Sequence, residues 1–243
     1  MQTHLQTKYY QEMINEYNEY GCVLISNCLK SEEFEDIEKI LKDEWNVYYA
    51  CKSPFDEKCA LFARNNPKVV SKIYDKVLNL KECIELAKNS EIRKIIFNLI
   101  GSKAKVYQKV PFRIDAPLQT KELAVWHQDN FYVKGAPNEV TAWIPLQDTP
   151  MHLGALSVIK KSHRKGAIPH EVMWGKKYMP TGVYDSDINV IEMKKGDVLF
   201  FNSYLLHTSN INFSEKIRYS LQMRFTTQAF GKPSKNMGEI YDL

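Results

Sequence analysis

The residues from Ile217 to Thr226 constrain the fold more than any other stretch. Arg218, Ser220, Gln222 and Arg224 alternate with Tyr219, Leu221, Met223 and Phe225. Such alternation is the pattern of a β-strand, whose successive side chains point to opposite faces. One face suits a core. The other carries two guanidinium groups and two more polar side chains. If that polar face meets solvent, the arginines pair with surface acids. If it faces inward, each arginine wants a carboxylate, which it can hold bidentately.

The rest of the chain supplies partners for such a strand. Ala104 to Ile114, Ala124 to Trp126, Val140 to Leu146, Ala155 to Ile159, Ile188 to Ile191 and Val198 to Phe201 are short, β-branched or aromatic runs. Turn signals such as Lys195-Gly196-Asp197 separate them. Before Gly101 the texture is helical. Tyr10, Met13, Ile14 and Tyr17 form a stripe over Lys8 to Tyr20, which Gly21 ends. Ser31 is placed to cap a second helix, and Phe34, Ile37, Ile40 and Leu41 form its buried face. Cys22 to Ile25 reads as a strand between them. Val69 to Leu80 and Lys81 to Lys88 read as helices, and Ser90 as the cap of another that ends at Gly101. Ala50 to Pro67 is irregular, with turn signals at Ser53-Pro54 and Asn65-Asn66-Pro67. The pattern predicts one α+β domain over residues 1–243, helical over 1–101 and stranded over 102–230, with a loosely ordered polar tail over 231–243.

Composition excludes several classes. The formal net charge of +4 is small, and the densest basic stretch, Lys160 to Lys165, is short. Neither suggests a nucleic-acid partner. No apolar run approaches the roughly 20 residues that span a bilayer, so no membrane partner is expected. The five cysteines form no CxxC pair and read as reduced structural thiols. With no apolar leader at Met1 to Tyr10, the expected compartment is the cytoplasm.

Chemistry concentrates in Trp126-His127-Gln128-Asp129-Asn130. A strand ending here would aim the imidazole and the carboxylate into one space. A metal site needs a third ligand, and His207 is the best candidate, with Arg218 eleven residues beyond it. Two histidines and one carboxylate on one face of a metal leave positions open for other ligands, as in non-haem Fe(II) oxygenases. A lone His-x-Asp recurs by chance, and a satisfied structural histidine is its commoner explanation. The surrounding motifs carry the distinction.

Trp126 to Asp129, Thr141 to Leu146, Gly154 to Gly166, Gly196 to Phe201, and Leu206 to Ser209 followed by Arg218-Tyr219-Ser220 occur in one order. In these motifs the chain resembles the phytanoyl-CoA dioxygenase family of Fe(II)/2-oxoglutarate oxygenases. The resemblance implies a double-stranded β-helix (jelly-roll) core with the helical part packed on it. It implies that His127, Asp129 and His207 bind Fe(II). Arg218 would hold the distal carboxylate of 2-oxoglutarate, with Ser209, Trp143, Gln128, Ser220 and Gln108 as further contacts. Asn130, Phe131, Tyr132, Arg113 and Arg224 are placed in the substrate pocket. The implied reaction hydroxylates a C–H bond of a small molecule with O2, while 2-oxoglutarate is decarboxylated to succinate and CO2. Related halogenases replace the carboxylate ligand by a small residue, so Asp129 favours oxygenation.

Two alternatives stand beside this reading. The Arg218-to-Arg224 spacing is similar to that of nucleic-acid demethylases of the wider superfamily, and a protein demethylase would share the same chemistry. A non-catalytic jelly-roll can also bind ligands without redox chemistry. Of the other histidines, His163 reads as structural, and His4, His152 and His170 as surface or loop residues. Asp148 and Asp197 read as turn formers.

Overall fold

The computed structural model describes residues 2–78, 80–119, 125–134, 136–173, 177–180, 187–227 and 237–243. The first part is helical, as the stripes predict: α1 (Gln2–Tyr20), β1 (Cys22–Ile25), α2 (Glu35–Asn46), α3 (Glu57–Asn65), α4 (Pro67–Val77), α5 (Lys81–Glu85) and α6 (Ser90–Ile100). Each longer helix buries one narrow stripe: Ile37, Leu41 and Trp45 on α2, Val70, Ile73 and Val77 on α4, and Ile92, Ile95 and Ile96 on α6.

The helix starts differ from expectation. Asn89, not Ser90, caps α6, accepting from the Glu91 and Ile92 N–H groups at 2.8 and 3.1 Å. Ser31 opens a 3-10 turn (Ser31–Phe34) ahead of α2. The stretch expected to be irregular holds α3, which Asp56 caps by accepting from the Cys59 N–H at 2.6 Å. Its turn signals mark the helix ends, and Pro67 serves as the first residue of α4.

The remaining elements are β2 (Lys105–Tyr107), β3 (Phe112–Asp115), α7 (Asp129–Val133), β4 (Val140–Pro145), β5 (Leu156–Ile159), β6 (His170–Met173), β7 (Lys177–Pro180), β8 (Ile188–Ile191), β9 (Val198–Asn202), β10 (His207–Ser209), β11 (Arg218–Thr226) and β12 (Ile240–Asp242). They form an antiparallel sheet in the order β1-β9-β4-β11-β2-β12, with β3 also on β11, a smaller sheet β10-β5-β8, and a β6-β7 hairpin. The strand expected over Ala104 to Ile114 is split. Its middle turns aside: Gln108 and Lys109 donate their N–H groups to Glu239 and Met237, and Pro111 keeps one bond, from the Gln222 N–H at 3.0 Å. The tail is ordered at its end, where β12 pairs with β2.

Register fixes the two faces of the large sheet. Arg224 lies opposite Thr141, and Gln222 opposite Trp143. Those two oppose Phe201 and Leu199 in turn. This inner face meets the small sheet, since Trp143, Leu199 and Phe201 pack in one cluster with Leu156 and Val158. The outer face presents Tyr219, Leu221, Met223 and Phe225 to the helices, in a core shared with Trp45, Ile73 and Ile95. The polar face of β11 therefore looks inward. Leu221 is fully buried on the outer face. Leu221→Ala is expected to cost about 2–5 kcal/mol of stability, measured by chemical denaturation, without displacing the inner face.

Candidate metal centre

His127 and His207 are locked together by their backbones. Each donates its N–H to the other's carbonyl, at 3.0 and 3.1 Å. The imidazoles lie 4.2 Å apart between ring centroids. His127 Nδ1 sits 2.6 Å from the Val125 carbonyl, and His207 Nδ1 3.0 Å from that of Leu205. A carbonyl can only accept, so each Nδ1 donates to it, which leaves each Nε2 turned toward Asp129. Asp129 was expected at a strand end. It opens α7, after an extended Gln128. Of the expected strand before it, Ala124 lies outside the described residues, and Val125 and Trp126 are irregular. Asp129 Oδ1 is 3.7 Å from His127 Nε2 and 3.9 Å from His207 Nε2. One ligand atom from each of the three lies within 4.8 Å of the others. This donor set can hold a divalent iron.

Asp129 is 1% exposed, and its partners explain how a buried carboxylate persists. Thr141 Oγ1 donates to its Oδ2 at 2.6 Å. Arg224 grips both oxygens, Nε to Oδ2 at 3.2 Å and Nη2 to Oδ1 at 2.9 Å. Burial works to raise the Asp129 pKa, but Arg224 and the two histidines outweigh it and hold it well below the usual range. Burial, with His127 beside it, pushes His207 down to about 3. Arg224 is thus paired with the ligand carboxylate, the partner that an inward-facing arginine wants.

Behind Arg224 lies Glu139, which accepts from Tyr107 Oη at 3.2 Å. Burial pushes its carboxyl up to about 8, against the pull of Arg224. Between the ordinary glutamate range and pH 8 the folded chain then keeps a proton that the unfolded chain releases. Stability from this group is present at low pH and is lost as pH rises through that window. Glu139→Gln is expected to remove this loss. The stability difference, variant minus parent, should grow by up to about 1.4 kcal/mol per pH unit between pH 5 and 8, read from denaturation curves.

At the other end of β11, Arg218 is fully buried. Its Nη2 donates to Asp115 Oδ2 at 2.7 Å, and its Nη1 donates to the Gly154 carbonyl. A Cβ on Gly154 would come within 3.1 Å of Arg218 Nη1, and φ there is +88°, so glycine suits this approach. Arg113 Nη2 binds the other Asp115 oxygen at 2.8 Å. Burial tends to raise the Asp115 pKa, but Arg218 and Arg113 prevail and lower it. Arg113 thus joins the Arg218 network through Asp115.

Two expected cosubstrate contacts are engaged elsewhere. The Gln128 amide donates to the carbonyls of Gly166 and Tyr204 at 2.8 and 2.7 Å and accepts from the Ile168 N–H at 2.8 Å. It is a strut that holds the metal loop, with both amide hydrogens spent on the backbone. Gln108 accepts from the Glu239 N–H at 3.0 Å and anchors the tail. Ser209, Trp143 and Ser220 do line the inner face. Trp143 Nε1, Ser220 Oγ and Arg218 Nε are buried atoms without a hydrogen-bond partner among the described residues. A buried donor left unmatched costs about 1–3 kcal/mol, and a dicarboxylate supplies the acceptors that these three need. The residues present thus fit 2-oxoglutarate.

Asn130, Phe131 and Tyr132 follow the ligand pair on α7. Tyr132 meets His127 edge-on at 5.5 Å. Phe131 stacks on His170 with centroids 4.2 Å apart and an interplanar angle of 12°. His170 also accepts from the Gln128 N–H at 3.2 Å. It is no isolated loop residue, contrary to expectation, and only the fold brings it here. Thr141 and Glu139 were likewise missed; the inward face of β4 was the signal for Thr141. His163 holds its structural role, within 3.2 Å of the Asn18 carbonyl. Asp197 caps its turn by accepting from the Lys194 N–H at 2.8 Å.

The chain is similar to several known proteins. The chain is 33% identical over 97 residues to the 1-deoxypentalenic acid 11-beta-hydroxylase of Streptomyces exfoliatus, covering 36% of this chain and 34% of that protein. It thus spans about a third of that hydroxylase's length. It is 26% identical over 235 residues to a probable phytanoyl-CoA dioxygenase of Caenorhabditis elegans, covering 86% and 72%. The structure of the epimerase SnoN in complex with Fe3+, alpha ketoglutarate and nogalamycin RO shares its fold. That match has a TM-score of 0.64 and 14% identity, covering 90% of this chain and 84% of that one. The sequence model of the phytanoyl-CoA dioxygenase (PhyH) family matches residues 17–220. The chain belongs to the phytanoyl-CoA dioxygenase family, a family of iron- and 2-oxoglutarate-dependent oxygenases.

Proposed function

We propose that this protein is an Fe(II)/2-oxoglutarate-dependent dioxygenase that hydroxylates a C–H bond of a small-molecule metabolite. Its facing sheets then form a double-stranded β-helix, and the helical part and the sheets form one oxygenase domain over residues 1–243. The observation that carries the reading is that one ring nitrogen from each of His127 and His207 and one carboxylate oxygen of Asp129 lie within 4.8 Å of one another. Iron bound there, with 2-oxoglutarate and O2, would supply the oxidising chemistry.

The chain's own residues provide the setting. The Val125 and Leu205 carbonyls fix the imidazole tautomers and orientations. Arg218, Ser220, Trp143 and Ser209 would bind and orient the cosubstrate on the inner face. Phe131 and Tyr132 would wall the substrate side and exclude water. No helix among the described residues is long and apolar enough to cross a membrane. Purified protein with Fe(II), 2-oxoglutarate and ascorbate should form succinate and hydroxylated product in equal amounts with the right member of a metabolite panel. Purified protein that binds neither metal nor 2-oxoglutarate would end the proposal.

A further inference from the structure

The two oxygens of Asp129 are not equivalent. Oδ2 is saturated: Thr141 Oγ1 donates to it at 2.6 Å and Arg224 Nε at 3.2 Å. Oδ1 takes Arg224 Nη2 at 2.9 Å and is the oxygen that faces both histidine Nε2 atoms. Thr141 and Arg224 face each other across β4 and β11. They reach Asp129 from the large sheet, while the carboxylate is carried by α7. Gln222 Oε1 accepts from Arg224 Nη2 at 3.1 Å and steadies the guanidinium from the same strand. The fork cannot swing away without leaving both Asp129 and Gln222.

We infer that Thr141 and Arg224 are positioning residues that restrict Asp129 to one metal-binding oxygen, Oδ1, and so keep coordination positions open for the cosubstrate and O2. The inference rests on the oxygenase reading and deepens it. A carboxylate bound through one oxygen takes one coordination position; bound through both, it takes two, and together with two histidines and a two-point 2-oxoglutarate that fills all six and leaves none for O2. Occupying Oδ2 with a hydroxyl and a guanidinium N–H blocks the two-oxygen mode. A purely structural role for the pair would leave metal coordination unchanged in any variant that folds. Arg224→Lys keeps the charge but not the two-oxygen grip, and Thr141→Val removes only the hydroxyl.

The test uses the full chain loaded with Co(II), whose visible absorption reports coordination, saturates it with 2-oxoglutarate and titrates azide, a small ligand for the remaining open position. Thr141→Val and Arg224→Lys should still bind one Co(II). Both should show an altered Co(II) spectrum before cosubstrate is added and should bind azide about 10–100-fold more weakly than the parent. Thr141→Ser, which keeps the hydroxyl, should recover the parent's azide affinity and spectrum. Parent-like azide affinity and spectra in both Thr141→Val and Arg224→Lys overturn the inference while leaving the oxygenase reading intact. A parent that takes up neither Co(II) nor 2-oxoglutarate overturns that reading, and this inference with it.

Discussion

His207→Ala removes metal uptake and turnover together. Outer-shell partners of a metal ligand typically account for about 10–100-fold in metal affinity or activity, so loss of a ligand should exceed that range in both. The fold should survive, because the His207 backbone makes the bridge to His127 and an alanine keeps it. Anaerobic Fe(II) titration of the variant, beside its thermal unfolding, checks the result. A variant that folds and still binds iron as the parent does would remove His207 from the ligand set.

Arg224→Met has the second large effect, and on the metal-free protein it is a stability effect. Asp129 and Arg224 are buried together, with 2% and 8% of their side chains exposed. Removing one partner of a buried pair leaves an unpaired charge, at a cost of about 3–5 kcal/mol. Replacing both members by apolar side chains often restores stability. Arg224→Met alone should therefore destabilise by that amount, and the double variant with Asp129→Leu should recover most of it. Equal destabilisation in single and double variants would show that packing, rather than the unpaired carboxylate, governs the site. Denaturant unfolding of metal-free protein decides between these outcomes.

Much of this was legible in the sequence, for physical reasons that differ by residue. The β11 alternation gave the strand and its two faces, because a half-polar strand in a sheet has only two ways to lie. The His127-x-Asp129 spacing and the order of motifs up to Arg218 gave the ligand set. Capping was read one residue late at Asn89, since asparagine and serine compete for that role. The longer misreadings share one cause. Gln128 was placed with the cosubstrate by its position between two ligands, and Gln108 by its position on an earlier strand, whereas side-chain partners are set across strands. Gln128 lies between two ligands, yet its amide points away into the backbone of Gly166, Ile168 and Tyr204. Arg224 is far from Asp129 in sequence, yet the β4–β11 register places it with Thr141 around the carboxylate. His170 shows no local pattern at all; only the fold brings it to Phe131.

The central claim is that His127, Asp129 and His207 hold one iron beside a 2-oxoglutarate site anchored by Arg218. Anaerobic equilibrium dialysis of the parent with Fe(II) and 2-oxoglutarate tests it most directly, with Arg218→Lys alongside. One iron and one 2-oxoglutarate should be retained per chain, the 2-oxoglutarate only when metal is present, and Arg218→Lys should keep the iron while losing most of the cosubstrate. Retention of neither, or 2-oxoglutarate bound equally well without metal and by Arg218→Lys, would contradict it.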